Sequence, residues 1–212
     1  MRTILLVDDN ESLIELFSIF FQEAGWNVLT APGGRECLKI LEHKSPDMIL
    51  LDIMMEPMDG WETLVRIKAN PMWTKVPVAM LTGKVLSQNE FDSYGMLFEN
   101  YLLKPLSEEK MISLAGQVLD EYIRVHEVSE AAGKKGTPPL IVDEYLLVHH
   151  RVTLNHRMSA TLALQGYTIP WDLNKDQERL MELEKMFTDR GVSFPCQGVV
   201  SPMNTDLGKK AG

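Results

Sequence analysis

Short apolar runs alternate with longer amphipathic segments along the first 126 residues of the chain. The apolar runs have the length and composition of buried strands, and they lie at Ile4–Val7, Val28–Thr30, Met48–Leu51, Val78–Leu81 and Tyr101–Leu103. The segments between and after them repeat apolar residues with helical spacing, over Glu11–Ala24, Gly34–His43, Trp61–Ala69, Asn89–Leu97 and Glu108–His126. This alternation predicts an α/β fold: a doubly wound, five-stranded parallel sheet with the flavodoxin-like strand order 2-1-3-4-5.

A different pattern begins after residue 128. Residues 129–139 are polar and contain two glycines and two prolines, which is typical of a linker. Helical periodicity returns over Leu140–Leu164 and again over about Lys175–Arg190, with Gly166 and Pro170 between them. We therefore predict a C-terminal helical hairpin. The predicted organisation is a sheet domain at 1–128, a linker at 129–139, a helical extension at 140–191 and a loose tail at 192–212.

The first helix of the hairpin carries a stripe with a 4-3-4-3 spacing, formed by Ile141, Tyr145, Val148, Val152, Asn155, Ser159 and Leu162. Such a stripe can pair helices from two chains, which would make the protein a homodimer. It can equally fold back onto the chain's own sheet domain. The polar Asn155 and Ser159 argue against a regular coiled coil, and both interpretations stay open.

Charge is distributed unevenly along the chain. Residues 1–128 contain 11 lysines and arginines against 20 acids, whereas residues 129–212 contain 10 of each. A DNA-binding half would normally carry a basic excess, so we predict no nucleic-acid partner. The two cysteines, Cys37 and Cys196, suggest neither a disulfide framework nor a thiolate metal site. With no membrane span or signal peptide in the sequence, a cytoplasmic location is expected.

Polar residues with chemical potential follow the predicted strands. Asp8 and Asp9 end the first strand, Asp52 the third, Thr82 the fourth and Lys104 the fifth. The carboxyl ends of parallel strands meet at one edge of a sheet, where ligands bind. Three carboxylates brought together there would repel one another unless a cation joined them, and oxygen ligands suit Mg²⁺. A carboxylate at such a site can attack phosphorus to form an aspartyl phosphate.

Four motifs in order make the chain similar to the response regulator receiver superfamily from Ile4 to about His126. They are LLVDDN at 5–10, LLDIMMEPMDG at 50–60, MLTG at 80–83 and YLLKP at 101–105. MEPMDGW also resembles receivers of methanogenic archaea. The pattern departs from the family in one place, because Glu56 stands where proline is usual and Pro57 follows it. We expect an altered loop there and an intact site.

The resemblance implies roles for the residues at the strand ends. Asp52 would be the phospho-acceptor, while Asp9 and the Met54 carbonyl would bind Mg²⁺ directly and Asp8 would act mainly through a metal-bound water. Asp52 itself would belong to the metal site as well.

The resemblance also implies a switch. Lys104 would pair with the phosphoryl oxygens, and the Lys104-Pro105 peptide bond would be cis. Thr82 would hydrogen-bond the phosphoryl group and swing inward, which lets Tyr101 rotate from an exposed to a buried position.

We predict a two-component signalling protein that is phosphorylated by a histidine kinase and that relays the signal by contacting a downstream protein. It would not be an enzyme beyond its own phosphoryl transfer. Two alternatives remain. One is a DNA-binding transcriptional regulator. The other is a phosphorelay intermediate, because His149-His150-Arg151-Val152 looks like the phospho-histidine helix of one kinase family, with His150 as the acceptor.

Overall fold

Five parallel strands form a single sheet at the centre of the N-terminal region. The computed structural model describes residues 1–164 and 172–194. The strands are β1 (Thr3–Val7), β2 (Asn27–Ala31), β3 (Met48–Leu51), β4 (Val78–Thr82) and β5 (Asn100–Leu103). Their spatial order is β2-β1-β3-β4-β5, and every neighbouring pair is parallel. The predicted α/β fold and its strand order are confirmed.

The strands are apolar throughout because both faces of the sheet are covered. Successive side chains of a strand point to opposite faces. Leu5 and Val7 of β1 accordingly lie in one apolar core, while Ile4 and Leu6 lie in another on the opposite side. Burial on both faces explains why the strands appear in the sequence as continuous apolar runs rather than as an alternation.

Seven helices and one 3-10 turn occupy the described residues. They are α1 (Glu11–Glu23), α2 (Gly34–Leu41), α3 (Gly60–Ala69), α4 (Gln88–Tyr94), the turn Gly95–Leu97, α5 (Glu108–Lys134), α6 (Pro139–Leu164) and α7 (Leu173–Asp189). Side chains that accept from backbone amides begin five of the helices, at Asn10, Asp59, Ser87, Ser107 and Asp172. None of the described helices is long and apolar enough to cross a membrane.

The predicted linker at 129–139 is wrong over most of its length, because α5 continues to Lys134. Val125, Val128 and Ala132 on this second half of α5 are buried against α6 and α7. This burial outweighs the low helix propensity of Gly133. The connection shrinks to the turn at 135–138, where Gly136 adopts a positive φ of 81° and ends the helix.

The second half of α5 forms a three-helix bundle with α6 and α7, which we call the helical bundle. Tyr145 of α6 packs against Phe187 of α7 at a ring-centroid distance of 5.0 Å. Arg179 of α7 makes a bidentate ion pair with Glu144 of α6, with N···O distances of 2.8 and 2.9 Å. The predicted hairpin is thus present as two helices packed on α5.

The stripe of α6 is buried at its centre. Tyr145, Val148 and Val152 are buried within the chain, which favours the interpretation that α6 folds back onto the chain itself. A homodimer stays a prediction. Val192 is also buried in the helical bundle, so the predicted loose tail starts later than residue 192. Gly166, Pro170, Cys196, the side chain of Leu162 and the rest of the tail lie outside the described residues.

Candidate functional site

Three carboxylates meet at the carboxyl ends of β1 and β3. The parallel pairing of Val7 with Leu51 brings the next residues of each strand together. One carboxylate oxygen from each of Asp8, Asp9 and Asp52 lies within 4.8 Å of the other two. Asp8 and Asp52 are buried, and Asp9 is exposed. The sequence analysis predicted this acid cluster residue by residue.

One lysine faces the acid cluster from the end of β5. The Nζ of Lys104 lies 3.3 Å from Oδ2 of Asp52 and makes a shorter ion pair with Oδ2 of Asp8. Its position is held by the Lys104 amide, which donates to the Thr82 carbonyl at 2.8 Å. A single ammonium cannot balance three carboxylates at this distance, so the cluster retains a surplus of negative charge.

The two oxygens of Asp52 have different surroundings. Oδ1 accepts a hydrogen bond from the Ile53 amide at 2.7 Å, whereas Oδ2 faces Lys104. Gly60 then lets helix α3 approach the strand end closely. A Cβ at Gly60 would lie 2.1 Å from the Asp52 carbonyl oxygen and 2.7 Å from the Ile53 Cα. The glycine is therefore required for the packing that fixes the Asp52 backbone.

The loop between β3 and α3 carries the departure from the family pattern. Its Glu56-Pro57 bond is cis, as is Lys104-Pro105, where the cis bond was predicted. The acid cluster forms nonetheless. Met54 is 61% exposed. The ligand role of its carbonyl stays a prediction.

The chemistry of the cluster fits a hard divalent cation. All its side-chain donors are carboxylate oxygens, and no histidine or cysteine takes part. Mg²⁺ binds through one or two carboxylates and keeps several waters, which the exposed side of Asp9 can accommodate. The residues present could therefore hold the predicted metal.

The two predicted switch residues both contact the backbone of Lys84. The Thr82 hydroxyl oxygen accepts from the Lys84 amide at 3.2 Å. The Tyr101 hydroxyl donates to the Lys84 carbonyl at 2.7 Å, and only 6% of this tyrosine is exposed. Burial, followed by the charges of Glu90 and Asp52, raises the pKa of Tyr101. Tyr101 thus occupies its inward position.

His150 belongs to a contact between α6 and the sheet domain. Its Nδ1 lies 3.1 Å from Oε2 of Glu99, and its Nε2 lies 3.4 Å from the Gly95 carbonyl. Arg157, two turns further along α6, donates to the Glu99 carbonyl at 2.8 Å. Burial alone would raise the pKa of Glu99, but His150, Lys68 and Arg157 outweigh it and lower that pKa. Phosphorelay through His150 stays a prediction.

A second acid of the sheet domain, Glu121, contacts His149, which precedes His150 on α6. His149 Nε2 lies 3.2 Å from Oε1 of Glu121 on α5. Arg124 contacts the same oxygen at 2.6 Å. Although burial would raise the pKa of Glu121, the hydrogen bonds from His149 and Arg124 outweigh it and lower the pKa to about 2. Neither Glu99 nor Glu121 was predicted from the sequence, since neither belongs to a motif and their histidine partners lie 51 and 28 positions away along the chain.

Family comparison assigns most of the sheet domain. A family model described as the response regulator receiver domain matches residues 4–115, more than half of the chain. The transcriptional regulatory protein PhoP for alkaline phosphatase synthesis in Bacillus subtilis is 34% identical over 113 residues, covering 52% of this chain and 45% of PhoP. The chain spans about half the length of the first such relatives.

One relative aligns over a longer stretch. The transcriptional regulatory protein CpxR of Klebsiella pneumoniae is 30% identical over 168 residues, which cover 78% of this chain and 68% of CpxR. An alignment of this length extends beyond the sheet domain.

Two of the solved structures that match the chain cover just over half of it. The Vibrio cholerae chemotaxis protein CheY4 superposes with a TM-score of 0.52 at 28% identity, covering 56% of this chain and 98% of CheY4. A CheY-like receiver domain protein from the methanogen Methanospirillum hungatei gives a TM-score of 0.53 at 25% identity, covering 57% of this chain and 96% of that protein.

Proposed function

Because the chain belongs to the response regulator receiver domain family, we propose that it accepts a phosphoryl group on Asp52 from a histidine kinase. The observation that carries this proposal is the surroundings of Asp52. One of its oxygens is tied to the backbone, and the other faces Lys104 beside two further carboxylates. A phosphoryl acceptor needs a positioned carboxylate oxygen with cations next to it.

In the proposed step, a carboxylate oxygen of Asp52 attacks phosphorus while the bond from phosphorus to the kinase histidine nitrogen breaks. The leaving imidazole keeps the electron pair of that bond. Lys104 pairs with the developing charge on the phosphoryl oxygens, and Thr82 donates its hydroxyl to one of them. Asp9, Asp52 and the Met54 carbonyl would hold Mg²⁺, and Asp8 would act through a metal-bound water. The ion would supply the remaining positive charge.

Phosphorylation by a small donor tests this step. Acetyl phosphate with Mg²⁺ should add one phosphoryl group to the full chain, visible as a mass increase that disappears after hydroxylamine treatment. Asp52→Ala should abolish the increase, whereas Asp47→Ala, an aspartate before β3, should leave it unchanged. Labelling of Asp52→Ala at the wild-type level would refute the assignment. The chain would turn over no other substrate, in keeping with a signalling protein.

We propose that the signal reaches helix α6 first and a downstream protein afterwards. Leu154 and Met158 of α6 share an apolar core cluster with Tyr101 and Phe98. A movement of the Tyr101 side chain would therefore change its packing against α6. Hydrogen exchange with and without beryllofluoride, a phosphoryl mimic, should show altered protection in α6. Unchanged protection throughout α6 would contradict this route.

A DNA-binding transcriptional regulator is the second candidate. The names of PhoP and CpxR favour it, as does the alignment with CpxR beyond the sheet domain. Two features weigh against it. The region after residue 128 has no net charge, and no strand follows β5 in the described part of the chain, so a winged hairpin is lacking there. The cytoplasmic location stays a prediction.

A further inference from the structure

Glu90 binds four donors that come from different parts of the chain. Its Oε1 accepts from the Trp61 indole at 2.9 Å and from the Lys84 ammonium at 2.5 Å. Its Oε2 accepts from the amide and the hydroxyl of Ser87 at 3.0 and 2.6 Å. One carboxylate thus joins the start of α3, the loop after β4 and the start of α4.

This carboxylate is ionised at any physiological pH. Burial would raise the pKa of Glu90, but hydrogen bonds from Lys84, Ser87 and Trp61 outweigh burial and lower the pKa to about 2. A helix cap explains only part of the arrangement. The capping box needs Ser87 and Glu90 alone, whereas the contacts to Lys84 and Trp61 do nothing for the amides of α4.

The two additional partners both lead to the switch. Lys84 donates its amide to Thr82 and offers its carbonyl to the Tyr101 hydroxyl. The Trp61 ring stacks on Tyr94 at 4.6 Å and on Tyr101 at 6.4 Å. Holding the Lys84 side chain and the Trp61 indole therefore fixes both the acceptor and the aromatic wall that the inward Tyr101 requires.

We propose that Glu90 is a positioning residue that stabilises the inward state of Tyr101 by anchoring Lys84 to Trp61. The inference rests on the proposed function, because it assumes that the Asp52 site binds a phosphoryl group better in this state. Glu90 does not touch the phosphoryl group and acts through Lys84. When only a fraction of the molecules is in the inward, binding-competent state, the apparent dissociation constant of the phosphoryl mimic equals the intrinsic constant divided by that fraction.

Beryllofluoride binding in the presence of Mg²⁺ tests the proposal on the full chain. Glu90→Gln and Glu90→Ala should weaken beryllofluoride affinity by about threefold to tenfold, as expected for a moderate loss of the competent population. Glu62→Gln serves as the control, because Glu62 forms an exposed ion pair with Arg66 and its loss should leave the affinity unchanged.

Nuclear magnetic resonance supplies a readout that a purely structural role would not move. The Tyr101 ring resonances, assigned with Tyr101→Phe, should shift toward those of an exposed tyrosine in Glu90→Ala. Beryllofluoride should return them only partly toward their wild-type positions. Ser87→Ala separates the cap from the anchor, since it removes the cap hydroxyl and leaves Lys84 and Trp61 in place. Its affinity loss should be smaller than that of Glu90→Ala.

The outcomes distinguish the two levels of inference. If wild type binds no beryllofluoride, or binds it equally well with Asp52→Ala, the proposed function fails. If wild type binds it at Asp52 and both Glu90 variants bind equally well, the role of Glu90 is refuted. An equal loss in Ser87→Ala and Glu90→Ala also refutes that role, because helix capping then accounts for it. Thermal melting shows whether the Glu90 variants fold. If they do not, Lys84→Met replaces them and should show the same loss of beryllofluoride affinity.

Discussion

Two groups of acids in this molecule differ in how many cations face them. The acid cluster of Asp8, Asp9 and Asp52 has one lysine for three carboxylates. At the boundary with α6 the ratio is reversed. Glu99 faces the cations Arg157 and Lys68 as well as the His150 ring, whereas Glu121 faces the cation Arg124 as well as the His149 ring.

The difference separates a binding site from a structural contact. Carboxylates in excess of their cations repel one another and destabilise the fold. Binding of a cation should therefore stabilise the protein most at the acid cluster. Carboxylates that are matched by cations are not stabilised further by a bound cation. Their contacts instead hold one secondary-structure element against another. Both groups are partly buried, so burial alone would not tell them apart.

The largest effect expected from this comparison is on the matched acids. Glu99→Ala leaves His150, Arg157 and Lys68 without their central anion. Removing one partner of a buried ion pair costs up to about 5 kcal/mol, and since 17% of the Glu99 side chain is exposed we expect about 2–4 kcal/mol. Urea unfolding of the full chain measures the loss.

Glu127→Ala is the matched control, because Glu127 is an exposed glutamate on α5. It should change the free energy of unfolding by less than about 0.5 kcal/mol. A loss that is no larger for Glu99→Ala than for Glu127→Ala would mean that the Glu99 contact contributes nothing to docking of α6.

The unmatched acids should respond to metal. Mg²⁺ at ten times its dissociation constant should stabilise wild type by about 1.4 kcal/mol. In Asp9→Ala the stabilisation should disappear, and the metal-free variant should melt at or above the wild-type temperature because a repelling charge is gone. Thermal melting with and without MgCl₂ measures both quantities. An equal Mg²⁺ shift in wild type and Asp9→Ala would show that the metal binds elsewhere.

Acid should weaken the matched contacts in a defined window. The pKa of Glu121 is about 2 in the folded chain, below its unfolded value of about 4.3. Its stabilisation is therefore complete above that unfolded value and is lost as pH falls toward 2. We expect Glu121→Gln to cost about 1–3 kcal/mol at pH 6 and about half of that at pH 3. A difference between wild type and variant that is constant with pH would contradict this.

The two regions also differed in how far the sequence predicted them. Strand ends in a parallel sheet converge by topology, so Asp8, Asp52 and Lys104 could be brought together from their positions after apolar runs. The partners of Glu99 and Glu121 on α6 (His150, Arg157 and His149) are set by how that helix docks, which depends on tertiary packing between distant segments. No local pattern of the chain encodes that docking.

Local patterns were also overridden or overlooked in two places. Gly133 and the polar residues around it indicated a linker, but burial of Val128 and Ala132 kept the segment helical. Glu90 could have been noticed, since Ser87 and Glu90 have the spacing of a capping box. Its contacts to Trp61 and Lys84 required the structure.

The smallest effect is expected with DNA, where the comparison predicts no binding. Nonspecific affinity for duplex DNA comes mainly from phosphates neutralised by lysine and arginine. Several cations of the helical bundle are already matched internally. Arg179 pairs with Glu144 and Glu182, and Arg157 and Arg124 face acids of the sheet domain. These described arginines are therefore less available to contact phosphates.

We therefore expect no gel shift of random duplex DNA at micromolar protein and physiological salt, with or without beryllofluoride. The surplus acids of the sheet domain, which hold the whole net charge of −9, would repel a polyanion at contact. Repeating the measurement at low salt sharpens the test, because screening is then weakest. A micromolar or tighter complex whose affinity falls steeply with salt would contradict the prediction. It would also imply that the matched cations exchange their acids for phosphates, and the transcriptional role of the relatives would then extend to this chain.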